Sequence, residues 1–476
     1  MGLAMSAASK ADLDKVFGSE SSGGTPRERA MSSKREFVRG QTMLAEASEQ
    51  ATGHRLAAAD ALDSFGFQTL LTAVEEGQAP LVRDRDEPAQ TLRKHREALG
   101  YTPRHLARLA KATVDDVIRA ETPGKVSSIR ILERLARPLA IDERILGFKS
   151  QTGAEELGVR LRQLSARADG SAGLSPTDVA ALAESAWVIA RQTSLLSLIG
   201  APNADGSKRF QPDDDYGYPT YERGYRLAAA ARRILGLDPE APIGSMRSLI
   251  ADTLDIPLVQ TSLGRGLAGA TIASGDARGI VVNIEGDNRS VWVRRMTLSH
   301  ELGHLLWDPA PRLDRLMVDR YRDLAVNSTY RRDPVEIRAN AFAIAFLAPP
   351  AAVDRMVDQS GDVPSAVFAV ARRFGISVTA AAAHVGNVSR VRVVLPSGSR
   401  FPEPTDDMRA REDFTIDFFP IRNVPPALVG RFAGVVARAL GQNAISKDTA
   451  ATLLRTTTDM LDPETIASIL SLAGPV

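Results

Sequence analysis

Two histidines four residues apart enclose a glutamate in the run His300-Glu301-Leu302-Gly303-His304. On a helix, residues at that spacing stand one above the other on a single face. Two imidazoles so placed suit two corners of a tetrahedral zinc, and Glu301 lies where it can take a proton from water on the metal. Zinc lowers the pKa of that water to about 7, so a carboxylate within hydrogen-bond reach completes a hydrolytic nucleophile. The chain has only 6 histidines, which makes this pairing informative. The bland alternative is a buried helix whose histidines bond only to backbone groups.

A catalytic zinc needs a third protein ligand and one open position. The metzincin extension, a glycine and then a third histidine, is excluded because Trp307 and Ala310 stand at those places. An acidic residue on a later helix is the remaining route. Glu336 is the only glutamate between Glu301 and Glu403, and it follows Asp333-Pro334, a helix-opening pair. Asp308, Asp314, Asp319 and Asp323 are nearer in sequence, but their side chains are shorter and their segment reads as a mobile insertion. Glu336 could equally be a solvated first-turn acid that complements the helix dipole.

These groups require a frame. Met296, Leu298, Leu302, Leu305 and Leu306 make residues 293–307 an apolar helix, and residues 334–347 read as a second. Residues 221–235 are helical, and 257–260, 271–273 and 279–284 are short β-rich runs. The run 279–284 could supply a sheet edge above the cleft, where an extended substrate pairs by strand addition. Gly264 to Gly269 satisfy GxGxxG, but the next residues, Ala270-Thr271-Ile272-Ala273, are β-like. The glycines therefore mark a turn between strands, not a dinucleotide site.

Length and composition bound the rest. A chain of 476 residues suggests two to four units, and 44% hydrophobic with 25% charged residues is ordinary for a globular protein. Lys plus Arg is 59 against 58 for Asp plus Glu, so no net field draws the whole protein to nucleic acid or membrane. Cysteine is absent, which removes disulfides, thiolate zinc sites, iron–sulfur ligation and cysteine nucleophiles. No stretch reads as a membrane span or secretory signal, and the implied location is cytoplasmic. Gly2 and Ser6 match a myristoylation pattern, but no polybasic patch follows.

Residues 1–26 read as a flexible leader and 27–76 as helical. Residues 154–168 and 176–199 read as helices, 200–219 as a linker, 391–395 and 414–419 as strands, and helices recur from 428 onward. His54, His95 and His105 fall outside any ligand spacing and read as surface residues.

The run from Arg295 to His304 (RMTLSHELGH), then Glu336 to Ala343 (EIRANAFA) and Leu347-Ala348-Pro349, resembles the ImmA/IrrE metallopeptidase family. Similarity extends upstream to Tyr225–Ala228, Arg232 and 266–270, and downstream through 374–377 to His384. The resemblance implies a thermolysin-like α+β zincin domain with zinc held by His300, His304 and Glu336, and with Glu301 as general base. Met296 and Ser299 depart from the usual Phe and Ala, and the insertion between His304 and Glu336 is long. Tyr330 and His384 are candidate oxyanion donors by proximity to the motifs alone.

Residues 91–147 have the cadence of five short helices, with Leu92, Leu106, Val117, Ile118, Leu132 and Leu135 among the core positions. Residues 93–100, 106–107, 117, 121 and 131–136 resemble the XRE helix-turn-helix family. Its local charge, 12 basic less 7 acidic residues, is +5, the footprint missing from the whole chain. The resemblance implies double-stranded DNA as a partner, with residues 114–121 as recognition helix and contacts from Arg104, Lys111, Thr113, Asp115, Asp116 and Arg119. Asp115 and Asp116 are departures, since an acid accepts from cytosine but repels the backbone. A protein-docking or dimerising bundle, hence a homodimer, is the alternative.

The expected organisation is a multidomain, mainly α protein with a small β-sheet. Residues 1–88 form the N-terminal segment, 89–150 the helix-turn-helix, 151–219 the connector, 220–390 the metallopeptidase and 391–476 an α+β extension. The family resemblance implies a narrow protein substrate, typically a repressor or antitoxin. The rival is a non-enzymatic DNA-binding regulator whose peptidase-like domain senses a ligand.

Overall fold

The computed structural model describes residues 8–82, 86–144, 157, 161, 173–201, 206–212, 220–274, 277–313, 317–321, 333–396, 401–412 and 419–472. The chain divides into two compact units, Met1–Asn203 with Thr415–Val476, and Ala204–Phe414. Most of the helix expected over 154–168 and of the strand expected over 414–419 lies outside the described residues. Among the described residues no single helix is long and apolar enough to cross a membrane.

The first unit opens with α1 (Lys10–Phe17), where a flexible leader was expected. Leu13, Val16 and Phe17 give this short helix a buried face, and the Ser9 hydroxyl accepts from the Asp12 N–H to cap it. Helix α2 (Pro26–Ser32) starts with a capping box of Thr25 and Glu28. Residues 27–76, read as helical, instead contain three strands of an antiparallel sheet. Strands β1 (Glu36–Arg39), β2 (Met43–Glu46), β3 (His54–Ala57) and β4 (Ala79–Pro80) stand in the order β3-β1-β2-β4. Strands of four residues or fewer are too short to display period-2 alternation, so Phe37, Leu44 and Leu56 looked like scattered anchors. Helices α3 (Ala58–Phe65) and α4 (Phe67–Glu75) connect β3 to β4.

Next come α5 (Glu87–Ala98), α6 (Pro103–Leu109), α7 (Val114–Ala120) and α8 (Ile129–Ala136), followed by a single 3-10 turn, Arg137–Leu139. The described residues thus show four helices and a turn rather than five helices, since Pro138 has no N–H to continue the ladder. Leu92, Leu106, Val117, Leu132 and Leu135 are buried as expected, whereas Ile118 is half exposed. Arg96 and Glu121 form a buried two-bond ion pair, 2.6 and 2.8 Å. Helix α9 (Pro176–Leu198) begins at the capping box of Ser175 and Asp178. The chain returns to this unit with helices Arg431–Gly441, Lys447–Leu454 and Pro463–Leu472. Arg130 ties α8 to the second of them through Asp448, 2.5 Å away.

In the second unit, α10 (Thr220–Ile234) precedes strands β5 (Leu258–Thr261), β6 (Leu267–Ser274) and β7 (Ala277–Asn283). Helix α11 (Val291–Trp307), strand β8 (Met317–Arg320) and helix α12 (Pro334–Leu347) follow. Helices α13 (Pro350–Asp358), α14 (Val363–Phe374), α15 (Val378–Ser389) and α16 (Asp406–Glu412) complete it. The sheet order is β5-β7-β6-β8, with β5 parallel to β7 and the other pairs antiparallel. Residues 279–284 therefore supply an interior strand, not an edge. The unbroken apolar run Ile280-Val281-Val282 suits a strand covered on both faces.

Helix α11 is buried along almost its whole length, so its polar residues need internal partners. Arg295 pairs with Glu412 of α16 at 2.5 Å and donates to the Ile243 carbonyl at 2.8 Å. Thr297 donates to Asn288 at 2.9 Å. Gly303 lets α12 approach, because a Cβ there would lie 2.8 Å from the Phe342 ring. Leu298, Leu302, Leu305, Phe342 and Phe346 fill the shared core, each worth roughly 1.5–3 kcal/mol of burial. Residues 391–395 form no strand; Val391, Val393 and Leu395 lie half-covered against that core. Residues beyond 390 thus serve both units, the Glu412 anchor in one and the last three helices in the other.

Candidate metal centre

Helix α11 delivers the two rings side by side, His300 Nε2 and His304 Nε2 being 3.0 Å apart. Glu336, in the first turn of α12, brings Oε2 to 3.4 Å from each. Asp333 sets that turn by accepting from the Val335 N–H at 2.9 Å, with Pro334 at the first helical position. A fourth group joins them. Asp319 of β8 places Oδ2 3.4 Å from His300 Nε2, and one ligand atom from each of the four residues lies within 4.8 Å of the others.

The donor set fits a zinc ion. Bonds of roughly 2.0–2.1 Å put the corners of a tetrahedron about 3.3 Å apart, against 3.0 to 3.4 Å for the pairs above and at most 4.8 Å for the others. Asp319 Oδ2 and Glu336 Oε2 are buried without a hydrogen bond. Two imidazole nitrogens and two carboxylate oxygens facing one point form a donor set that a divalent cation takes up together once the ring protons leave.

An outer layer holds these groups. His304 Nδ1–H donates to Asp308 Oδ2 at 2.9 Å, fixing the tautomer that leaves Nε2 for the metal. Asp308 is held in turn by Arg338 and by Arg312, whose Nε is 3.2 Å away. Arg312 also reaches Glu336 Oε1 at 3.2 Å and Asp333 at 2.8 Å. Glu301 points between helix and sheet: Oε2 accepts from the Thr271 hydroxyl at 2.7 Å, while Oε1 is buried without a hydrogen bond. Gly269 makes room for it, since a Cβ there would stand 2.8 Å from Glu301 Oε1.

Charge shapes the centre. Burial disfavours a charged His300, but Asp319 and Glu336 outweigh it and raise the ring's pKa to about 9. Burial is likewise overruled at His304, where Glu336 and Asp308 hold the pKa well above the ordinary value. Burial and then the Asp319 charge push Glu301 well above the usual carboxylate range. Glu336 moves below that range, as His304 and His300 prevail over burial.

The other expected site residues fare differently. Tyr330 lies outside the described residues. His384 is buried on α15 with both nitrogens committed: Nε2–H donates to the Ala348 carbonyl at 2.8 Å, and Nδ1 accepts from the Tyr225 hydroxyl at 2.9 Å. It braces α10 and α15 and retains no N–H for an oxyanion. In the helical bundle, Thr113 and Asp116 cap α7 reciprocally, the Thr113 N–H reaching Asp116 at 2.9 Å. Arg104, Lys111, Asp115 and Arg119 are exposed, Arg104 on α6 and Lys111 in the left-handed turn (φ 50°) before α7. His54 and His95 are buried, not surface residues. The β6 glycines behave as expected, Gly264 and Gly266 forming the turn into the strand.

Asp308 and Asp319, weighed in the sequence as ligands and set aside for short side chains in a mobile insertion, instead lie behind His304 and within the cluster, and Thr271 carried no signal at all. Asp308 carried a usable signal, four residues after His304 on the same helical face. Asp319 carried none, because strand pairing alone brings it to the rings. The chain has no match among curated proteins. Residues 277–385, which hold both histidines, Glu301, Asp308, Asp319, Glu336 and His384, match the peptidase M78 family model, described as IrrE N-terminal-like domain.

Proposed function

We propose that the second unit is a zinc-dependent endopeptidase and that the helices of 89–150 bring it to double-stranded DNA or to a DNA-bound repressor. The observation that carries this reading is the buried convergence of His300, His304 and Glu336, with Glu301 Oε1 unbonded beside them. A bound zinc supplies Lewis acidity and a water acidified to about pKa 7. Glu301 would take and hold a proton at Oε1, while Thr271 fixes its other oxygen. Asp308 keeps His304 in register, and Arg312 orients Glu336. The substrate is an extended segment of a repressor or antitoxin, taken by main-chain pairing beside β6.

The purified chain should hold about one zinc, as a single site requires. Glu301→Gln should keep that zinc and slow cleavage of a co-produced repressor by about 10²–10⁴-fold. Cleavage by Glu301→Gln at the wild-type rate sinks the enzymatic reading. DNA binding should weaken steeply with salt and with Arg104→Ala or Arg119→Ala.

One observation favours a second reading, a non-enzymatic regulator with a closed metal site. Asp319 makes four protein donors, and four-ligand zinc sites are characteristically structural.

A further inference from the structure

Strand β8 occupies a particular place. It is four residues long, among the described residues pairs only with β6, and lies on the side of β6 away from β7. In the β6–β8 register Asp319 stands opposite Gly269 and Met317 opposite Thr271, with a bulge between Leu267 and Gly269. Residues directly opposite in an antiparallel pair share a face. Gly269 and Thr271 face Glu301, so Asp319 is turned to the same side, toward α11. A bulge re-aims a side chain locally, and Asp319 ends 4% exposed with Oδ2 free of hydrogen bonds. The strand is fastened at its end. The Tyr321 hydroxyl donates to the Glu285 carbonyl at 2.8 Å and accepts from the Asn288 N–H at 3.1 Å.

Hydrolysis by this centre needs two things that β8 takes away. It needs a metal position open to water, and Asp319 stands at the fourth corner. It also needs an edge on which an extended substrate can pair, and β8 already pairs with β6 there. We propose that β8 is a resident occupant of the substrate-strand position and that Asp319 is a fourth metal ligand. Together they hold the peptidase latent until β8 leaves β6. This rests on the zinc-peptidase reading above. Release leaves the other ligands in place, because His300 and His304 sit on α11 and Glu336 on α12, whereas β8 belongs to the segment between these helices. The same geometry resolves the second reading: a four-donor site closed by a short, singly paired edge strand is closed conditionally.

The test uses the full chain loaded with cobalt(II), with acetohydroxamate as probe of the fourth position, so that coordination is read without turnover. Wild type should show a four-coordinate visible spectrum and weak hydroxamate binding. Asp319→Ala, and the near-isosteric Asp319→Asn, should change that spectrum and bind hydroxamate at least ten-fold more tightly. Tyr321→Ala, which loosens β8 and keeps every ligand, should move hydroxamate affinity the same way. Cleavage of an unstructured protein by zinc-loaded Asp319→Ala should exceed wild type at least ten-fold. Unchanged spectra and equal hydroxamate affinities across wild type and both Asp319 variants overturn the assignment of Asp319. Tightened hydroxamate binding with no gain in cleavage overturns latency. Failure of the peptidase reading itself looks different, since Glu301→Gln then matches wild type whatever the cobalt spectra show.

Discussion

Each unit buries a cluster of titratable groups, and the two clusters are built on opposite rules. In the first unit carboxylates meet cations or donors. Glu133 meets His54 at 2.5 Å, Glu143 accepts from the Trp187 indole at 2.9 Å, and Arg144 meets Asp60, Asp63 and Asp142 at 2.9 to 3.1 Å. In the second, one ligand atom each of His300, His304, Asp319 and Glu336 is turned toward a common point, and cations such as Arg312 stand behind them. A buried cluster whose charges alternate is complete in itself and serves structure. One whose ligand atoms converge on a point is a candidate for a metal. Histidine beside a carboxylate occurs in both, so residue types alone do not separate them.

The largest expected effect breaks the contrast outright. His304→Ala should lose nearly all bound zinc by metal analysis, whereas His54→Ala should keep it. A zinc-replete His304→Ala would mean that the convergence is not the binding site. Next, Arg144→Met strips three carboxylates of their cation and should cost the first unit about 3–5 kcal/mol in denaturant unfolding, with zinc content unchanged. A smaller loss would mark that network as peripheral.

Stability of the second unit should also depend on pH. Burial lowers the pKa of His384 from 6.5 to about 4. Between these values the unfolded chain binds the proton and the folded unit does not, so stability rises with pH across the window and falls as pH drops toward 4. The contribution is at most about 3 kcal/mol, and His384→Gln should flatten that slope in unfolding measured from pH 4 to 7. A slope unchanged in the variant would assign it to other groups. Smallest is Asp308→Asn, which should weaken zinc about 10–100-fold in chelator competition while the fold persists.

The helices of the candidate metal centre were legible in the sequence because their signals are local. The spacing of His300 and His304, the apolar residues around them and the Asp333-Pro334 start each act within one or two turns. The expected ranges 293–307 and 334–347 lie within two residues of the observed helices. The first sheet was not legible, since its strands are too short for alternation to show and their pairing joins residues up to 37 apart, as Met43 and Pro80. His384 misled because closeness in sequence to a motif says nothing of where a ring's nitrogens point.

What the sequence determined alone is a local chemistry: two imidazoles on one helical face with a carboxylate next to them in the chain, and a chain without thiols that must build any metal site from His, Asp and Glu. Tertiary structure decided which distant acids converge on those rings. Glu336 arrives because α12 packs on α11 across Gly303, and Asp319 because β8 pairs in register with β6. Helical spacing is a property of a few consecutive residues. Convergence across layers depends on packing and strand register, which no short window of sequence encodes.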